Sequence, residues 1–135
     1  MRATARGRRG GLALLLLLAA APASRAQSVT DGSEAALGAE TAGAVLALIG
    51  RALPRGEAGR VSGLRRGRAG ALCGAIDRPN RMGTYTGDRG FVADLAAGFA
   101  GLLPEGPELR NPASPDQYRA MERALSLYRA NCVQG

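Results

Sequence analysis

The two cysteines are the most reactive side chains in this 135-residue chain, and their surroundings limit what they can do. Cys73 and Cys132 lie too far apart for a Cys-x-x-Cys redox motif, and histidine is absent. Without histidine neither a Ser-His-Asp nor a Cys-His nucleophile can be assembled. Two thiols alone do not complete a tetrahedral zinc site, so no metal is expected. In an oxidising compartment an even pair in a small domain reads as a disulfide, the competing reading being two free thiols. Closing so long a loop stabilises a fold by about 4 kcal/mol in the chain-entropy treatment. That is a large part of a typical total of about 5–15 kcal/mol. Asp77, Asp88 and Asp94 are close in sequence and could supply a carboxylate acid–base pair. Scattered acids are more often solvated surface, so no catalytic residue is assigned and no enzyme is expected. Phosphate loops, dinucleotide fingerprints and haem-attachment motifs are also missing, and no cofactor is expected.

Two stretches remain that could bind something. The first runs from Asp77 to Gly87 and is rich in Asp, Asn, Pro, Gly and Thr. Asn80 and Gly83 suit left-handed backbone angles, and Tyr85 could lie across a sheet edge. Asp77, Asn80 and Tyr85 are therefore the candidate binding residues, on a polar loop carried by a rigid scaffold. Turn chemistry alone also accounts for these residue types, and a site has to beat that reading. The second stretch is the arginine cluster Arg60, Arg65, Arg66 and Arg68. It could bind anionic envelope lipids or polymers, although such runs are more often a solvated face. It has no interleaved aromatics for base stacking, so nucleic acid is not an expected partner.

The elements that must carry these residues follow from the apolar pattern. After a polar lead, Asp31 and Glu34 resemble a capping box. A helix is expected over 33–53, with Leu37, Thr41, Ala44, Val45, Leu48 and Ala52 as one stripe and Pro54 as its stop. Val61 and Leu64 suggest a short strand near Ser62, and 71–77 reads as a buried strand. A loop is expected over 78–90. Residues 91–95 and 98–103 could form a hairpin or one continuous helix, and the glycines favour the hairpin. A proline-rich loop is expected over 104–112. Ser114-Pro115-Asp116-Gln117 is then a strong helix start. Tyr118, Met121, Leu125, Tyr128 and Cys132 follow at steps of three and four, which turns Cys132 inward. The expected fold is α+β: an N-terminal helix, a small antiparallel sheet of three or four strands, and a C-terminal helix tied to the sheet by Cys73–Cys132.

The segment Cys73-Gly74-Ala75-Ile76-Asp77-Arg78-Pro79-Asn80-Arg81-Met82-Gly83-Thr84-Tyr85-Thr86-Gly87, with Phe91 just beyond, resembles an uncharacterised family of small exported bacterial proteins. The family pattern reads Cys-Gly-Glu-Val-Asn, then Asn, then Gly-Gly-Tyr-x-Gly, then Phe. Leu53-Pro54-Arg55-Gly56-Glu57-Ala58-Gly59-Arg60-Val61 stands where the family ends its first helix, and Cys132 suits its lone C-terminal cysteine. Ala75, Asp77 and Thr84 replace the usual Glu, Asn and first Gly, so no role of that Glu carries over. The resemblance implies export, size and architecture and brings no activity with it.

The start of the chain agrees. Arg2, Arg6, Arg8 and Arg9 precede an unbroken Leu/Ala run from Leu12 to Ala21. The run is shorter than the roughly 20 apolar residues that cross a bilayer but suits a signal-peptide core. Cleavage is expected after Ala26, with Ala23 the competitor, and the general secretory route is preferred over the twin-arginine one. The expected organisation is a cleavable signal over 1–26 and one small domain over 27–135, with no membrane span after cleavage. Cleavage would take five of the 18 arginines, leaving 13 basic against 11 acidic side chains. The basicity of the full chain is thus largely a targeting feature. Together these readings describe a periplasmic or secreted, non-enzymatic interaction module. Its partner would be an unidentified protein or a small anionic envelope ligand. The alternative is an inhibitor or immunity protein of a cell-envelope hydrolase.

Overall fold

A computed structural model describes residues 27–53 and 58–134. The expected export signal over 1–26 and the helix stop at Pro54 lie outside the described residues.

Side-chain alternation along a strand sends odd and even residues to opposite faces. The strand Leu72–Pro79 (β3) uses this to feed two cores at once. Leu72 and Ile76 join a cluster containing Val45, Leu48, Ile49, Val61 and Phe91 on one face. Cys73 joins Val92, Ala124 and Cys132 on the other. β3 is central in a five-stranded sheet with Ser28–Val29 (β1), Arg60–Arg66 (β2), Tyr85–Asp94 (β4) and Phe99–Leu102 (β5), in the order β1-β2-β3-β4-β5. Ala39–Ala52 (α1) covers the first face, and Pro115–Asn131 (α3) covers the second.

Several expectations are corrected. The sheet has five strands rather than three or four, and it is mixed, because β1 runs parallel to β2. The polar lead is held there by Ser28 N–H donating to the Gly59 carbonyl (3.1 Å) and Thr30 N–H to that of Val61 (2.9 Å). A strand, not a helix, is thus the first described element. The single helix expected over 33–53 is divided into a 3₁₀ turn, Ser33–Ala36, and α1, with Gly38 at φ 82° between them. The stripe is rotated accordingly: Ala42, Val45, Leu48 and Ile49 are buried, while Ala44 and Ala52 are exposed. The loop expected over 78–90 is mostly strand, with Asp77 opposite Asp88 and Pro79 opposite Tyr85. The hairpin reading of 91–103 holds, with Phe91 opposite Leu102 and Asp94 opposite Phe99. The proline-rich loop contains a short helix, Gly106–Arg110 (α2), started by a Glu105–Glu108 capping box.

Desolvation pushes the Glu108 carboxyl upward, but the Glu105 N–H and the Arg89 guanidinium outweigh it and leave its pKa below the ordinary value. This carboxylate pairs with Arg89 of β4 and so ties α2 to the sheet.

A bulge organises the β2 edge. Ser62 pairs with Ala75 and Arg65 with Cys73, so Gly63 and Leu64 together face Gly74. Gly63 takes φ 61°, as a bulge with glycine in its first position requires. The N–H groups freed there are not wasted. Gly63 N–H donates to Asp31 Oδ2 (2.8 Å), and Leu64 N–H donates to Ser33 Oγ (2.9 Å). Asp31 Oδ1 also accepts from the Ser33 backbone and hydroxyl. These donors, the Gly63 N–H first among them, lower the Asp31 pKa to about 2. Asp31 therefore serves the bulge rather than a helix capping box.

The end of α3 is the second anchor. Ser114 Oγ caps its start by accepting from Gln117 N–H (3.1 Å). Ala124 packs so near the sheet that a Cβ on Gly101 would lie 2.7 Å from its own Cβ, which explains why glycine stands there. That close approach rotates the expected stripe: Ala124 and Met121 are buried, while Tyr118 is exposed. At the other end Asn131 is buried, with Oδ1 accepting from Ala69 N–H (2.8 Å) and Ala71 N–H (3.0 Å). The next residue, Cys132, is joined to Cys73 across a Cα separation of 5.7 Å. The expected staple is present.

Candidate functional site

The β3–β4 hairpin brings Asp77 and Tyr85 to one end of the sheet, with Asn80 in the turn between them. Asn80 builds that turn. Its Oδ1 accepts from Met82 N–H (2.9 Å) and Thr84 N–H (3.0 Å). Its backbone N–H donates to the Thr84 carbonyl (2.8 Å), and its carbonyl accepts from Gly83 N–H (2.9 Å). Four hydrogen bonds to one residue fix the path of 80–84, all of which is exposed.

Asp77 is half-buried, and its Oδ1 accepts from Gly87 N–H (2.9 Å) where the β3–β4 register shifts. Tyr85 is also half-buried. Its ring lies under the Arg60 guanidinium, 3.6 Å from the ring centroid, and its hydroxyl donates to the Ala58 carbonyl (3.5 Å). Such a cation–π contact contributes about 0.5–1 kcal/mol at an exposed site. Asp77 and Tyr85 hold the base of the hairpin, and Asn80 holds its tip. Each candidate residue is thus engaged in building the structure that presents the loop.

Sequence reasoning missed the residue this scaffold displays. Met82 is 90% exposed at the tip, the most exposed large apolar side chain among the described residues. The available signal was an apolar residue between Arg81 and Gly83 inside a turn. Beside the hairpin, Ile76, Arg78, Thr86, Asp88, Arg89 and Glu105 border a shallow polar hollow of about 190 Å³.

The three acids considered for catalysis are not gathered. Asp77 and Asp88 face each other across β3 and β4. Asp94 lies at the opposite end of β4, where its Oδ1 accepts from Ala97 N–H (3.1 Å). Among the described residues no cluster of three or more His, Cys, Asp or Glu could hold a metal ion. No helix among them is long and apolar enough to cross a membrane.

The arginine cluster separates. Arg60 begins β2 and belongs to the hairpin end through Tyr85. Arg65, Arg66 and Arg68 lie at the far end, around the close of α3. Arg65 Nη2 donates to the Cys132 carbonyl (2.8 Å) and Arg68 Nη2 to that of Arg129 (3.4 Å). The sheet therefore carries two distinct surfaces, an exposed hairpin tip and a basic hollow, at opposite ends of β2 and β3. No protein-family model, curated protein or solved structure matches the chain.

Proposed function

We propose that this protein is an exported, non-enzymatic interaction module of the periplasm or the secreted space, and that it engages a protein partner through the tip of the β3–β4 hairpin. The observation that carries this reading is Met82, 90% exposed on a turn held by Asn80. Burying a methionine side chain contributes about 1.5–3 kcal/mol. A turn already ordered loses little entropy on docking, so more of that gain is retained as affinity. The Cys73–Cys132 disulfide supports export, because such bonds persist in oxidising compartments. The Arg-rich, Leu-rich start of the chain supports it as well.

A photoreactive methionine analogue at position 82, followed by cross-linking in cells, tests the reading. Partner affinity is then measured for the wild type and Met82→Asp, with melting curves showing both folded. Loss of a central apolar contact weakens binding by about 10- to 100-fold. Unchanged affinity in Met82→Asp, or cross-links at 82 no more frequent than at exposed Leu95, sinks the proposal. The same displayed tip favours a second reading, an inhibitor or immunity protein that inserts Arg81 and Met82 into the cleft of an envelope hydrolase. The partner would then be a hydrolase, and Met82→Asp would restore its activity.

A further inference from the structure

We propose that Met82 is a site of reversible oxidation, taking one oxygen atom from an oxidant of the hypochlorous acid class and yielding it again to a methionine sulfoxide reductase. The side chains that usually intercept such oxidants are missing or closed off. Histidine, tryptophan and lysine do not occur in the chain. The two cysteines are bonded to each other, so no free thiol competes. The thioethers are Met1, Met82 and Met121. Met1 belongs to the expected export signal and leaves with it. Met121 is buried on α3 at 8% exposure, whereas Met82 is 90% exposed. Among the described residues Met82 is therefore the one fast-reacting group that solvent reaches freely.

The chemistry balances with the groups named. The Met82 Sδ lone pair attacks the chlorine of hypochlorous acid, and hydroxide leaves. Water then adds at sulfur as chloride departs. The net change converts thioether and hypochlorous acid to sulfoxide, chloride and a proton. Sulfur gives up an electron pair, and chlorine takes it. The reductase reverses this with a pair of thiols, which close to a disulfide while the oxygen leaves as water.

The simplest competing account is incidental damage, which would not be repaired. The turn favours a reversible site. Its hydrogen bonds run from the Met82 and Thr84 N–H groups to Asn80 Oδ1, and between the backbones of Asn80, Gly83 and Thr84. None of them uses the Met82 side chain. The sulfoxide thus forms without breaking a bond that holds the fold, and it stays as open to a reductase as the thioether was to the oxidant. At Met121 the same oxygen would enter the packed side of α3, where a polar group without a partner is costly. Oxidation also turns an apolar tip into a polar one. Burying that oxygen in an apolar contact is unfavourable, so the oxidised tip loses affinity. This last consequence rests on the docking role proposed above, whereas the oxidation and its reversal do not.

The test treats the disulfide-bonded protein with an equimolar amount of hypochlorous acid, quenches with free methionine and maps the tryptic peptides by mass spectrometry. Cleavage after Arg81 and Arg119 puts Met82 and Met121 on separate peptides. Their exposures differ about eleven-fold, so Met82 should be oxidised about 10-fold faster in the folded protein. In urea the two rates should converge. Protein oxidised at Met82 alone should melt at the temperature of the untreated protein. Methionine sulfoxide reductases of both epimer specificities, added together, should restore Met82. Equal rates at Met82 and Met121 in the folded protein, or a Met82 sulfoxide that the reductases leave unreduced, overturns the proposal. With the cross-linked partner in hand, oxidation should weaken its binding by about 10-fold or more, and Met82→Leu should be insensitive to the oxidant. Lost affinity in Met82→Asp without loss on oxidation overturns the control of docking. Affinity unchanged in both sinks the docking role alone, because the oxidation and repair readouts need no partner.

Discussion

Replacing Asn131 by leucine should destabilise the protein by about 1–4 kcal/mol. The side-chain oxygen accepts two backbone N–H groups, and they differ in what happens when it is removed. Ala71 is buried, so its N–H is left without an acceptor, at a cost of about 1–3 kcal/mol. Ala69 is exposed and turns to water, so only the net worth of a hydrogen bond is lost, about 0.5–1.5 kcal/mol. Leucine is the better helix former at this last position of α3, which offsets about 0.5 kcal/mol. For a domain of this size each kcal/mol lowers Tm by roughly 4–8 °C. Asn131→Asp keeps the acceptor and loses the donor that reaches the Leu127 carbonyl (2.9 Å), so it should cost less. Urea unfolding of the oxidised protein, followed by far-ultraviolet circular dichroism, measures both. Hydrogen exchange at the Ala71 amide reports the local effect. A leucine variant within about 0.5 kcal/mol of wild type, or an aspartate variant equally damaged, would refute the reasoning.

Two further expectations follow from the anchors of the sheet. Changing Cys73 and Cys132 to alanine together opens a bridge between residues 59 apart, and the chain-entropy treatment puts the loss at about 4 kcal/mol. Unfolding of the double variant tests this, and stability within about 1 kcal/mol of the oxidised wild type would contradict it. Asp31 should titrate near its depressed pKa of about 2, against about 3.9 for a free aspartate. Because the folded value is the lower one, its contribution is complete above the free value and disappears as pH falls through about 2. Carbon-detected NMR titration of its carboxyl reads this directly. A midpoint near the free value, or an acid-unfolding profile unchanged in Asp31→Asn, contradicts the bulge-anchoring role.

The legible part of the fold is the part written in local pattern. Ser114-Pro115 marks the start of α3 because a capping hydroxyl and a proline at the first turn act within a few residues. The apolar run around Cys73 reads as a buried strand, and the glycines at 98 and 101 favour the hairpin after Phe91. β1 was not legible, because two residues have no period and Val29 becomes a strand only when β2 offers an edge. The division of the first helix was hidden too. Asp31 and Glu34 look like a helix start, but Asp31 finds the Gly63 N–H, 32 residues away. At the candidate site, residue types correctly indicated a turn at Asn80. They did not indicate that Asn80 would be consumed in building it, or that Met82 would be displayed.

The arginines set the same boundary. Four of them fall within nine residues, and sequence distance alone makes them one cluster. A seven-residue strand carries Arg60 to one end of the sheet and leaves Arg65 and Arg66 at the other, near the end of α3. By itself the sequence determined the covalent options, the absence of histidine chemistry, the α+β class and the inward turn of Cys132. These depend on residue type and on periods of two or about four residues. Tertiary structure alone decided which charges share a surface, which candidate residues are spent on the scaffold, and which side chain is left exposed at the hairpin tip. Those outcomes depend on pairings across tens of residues, and no local spacing encodes them.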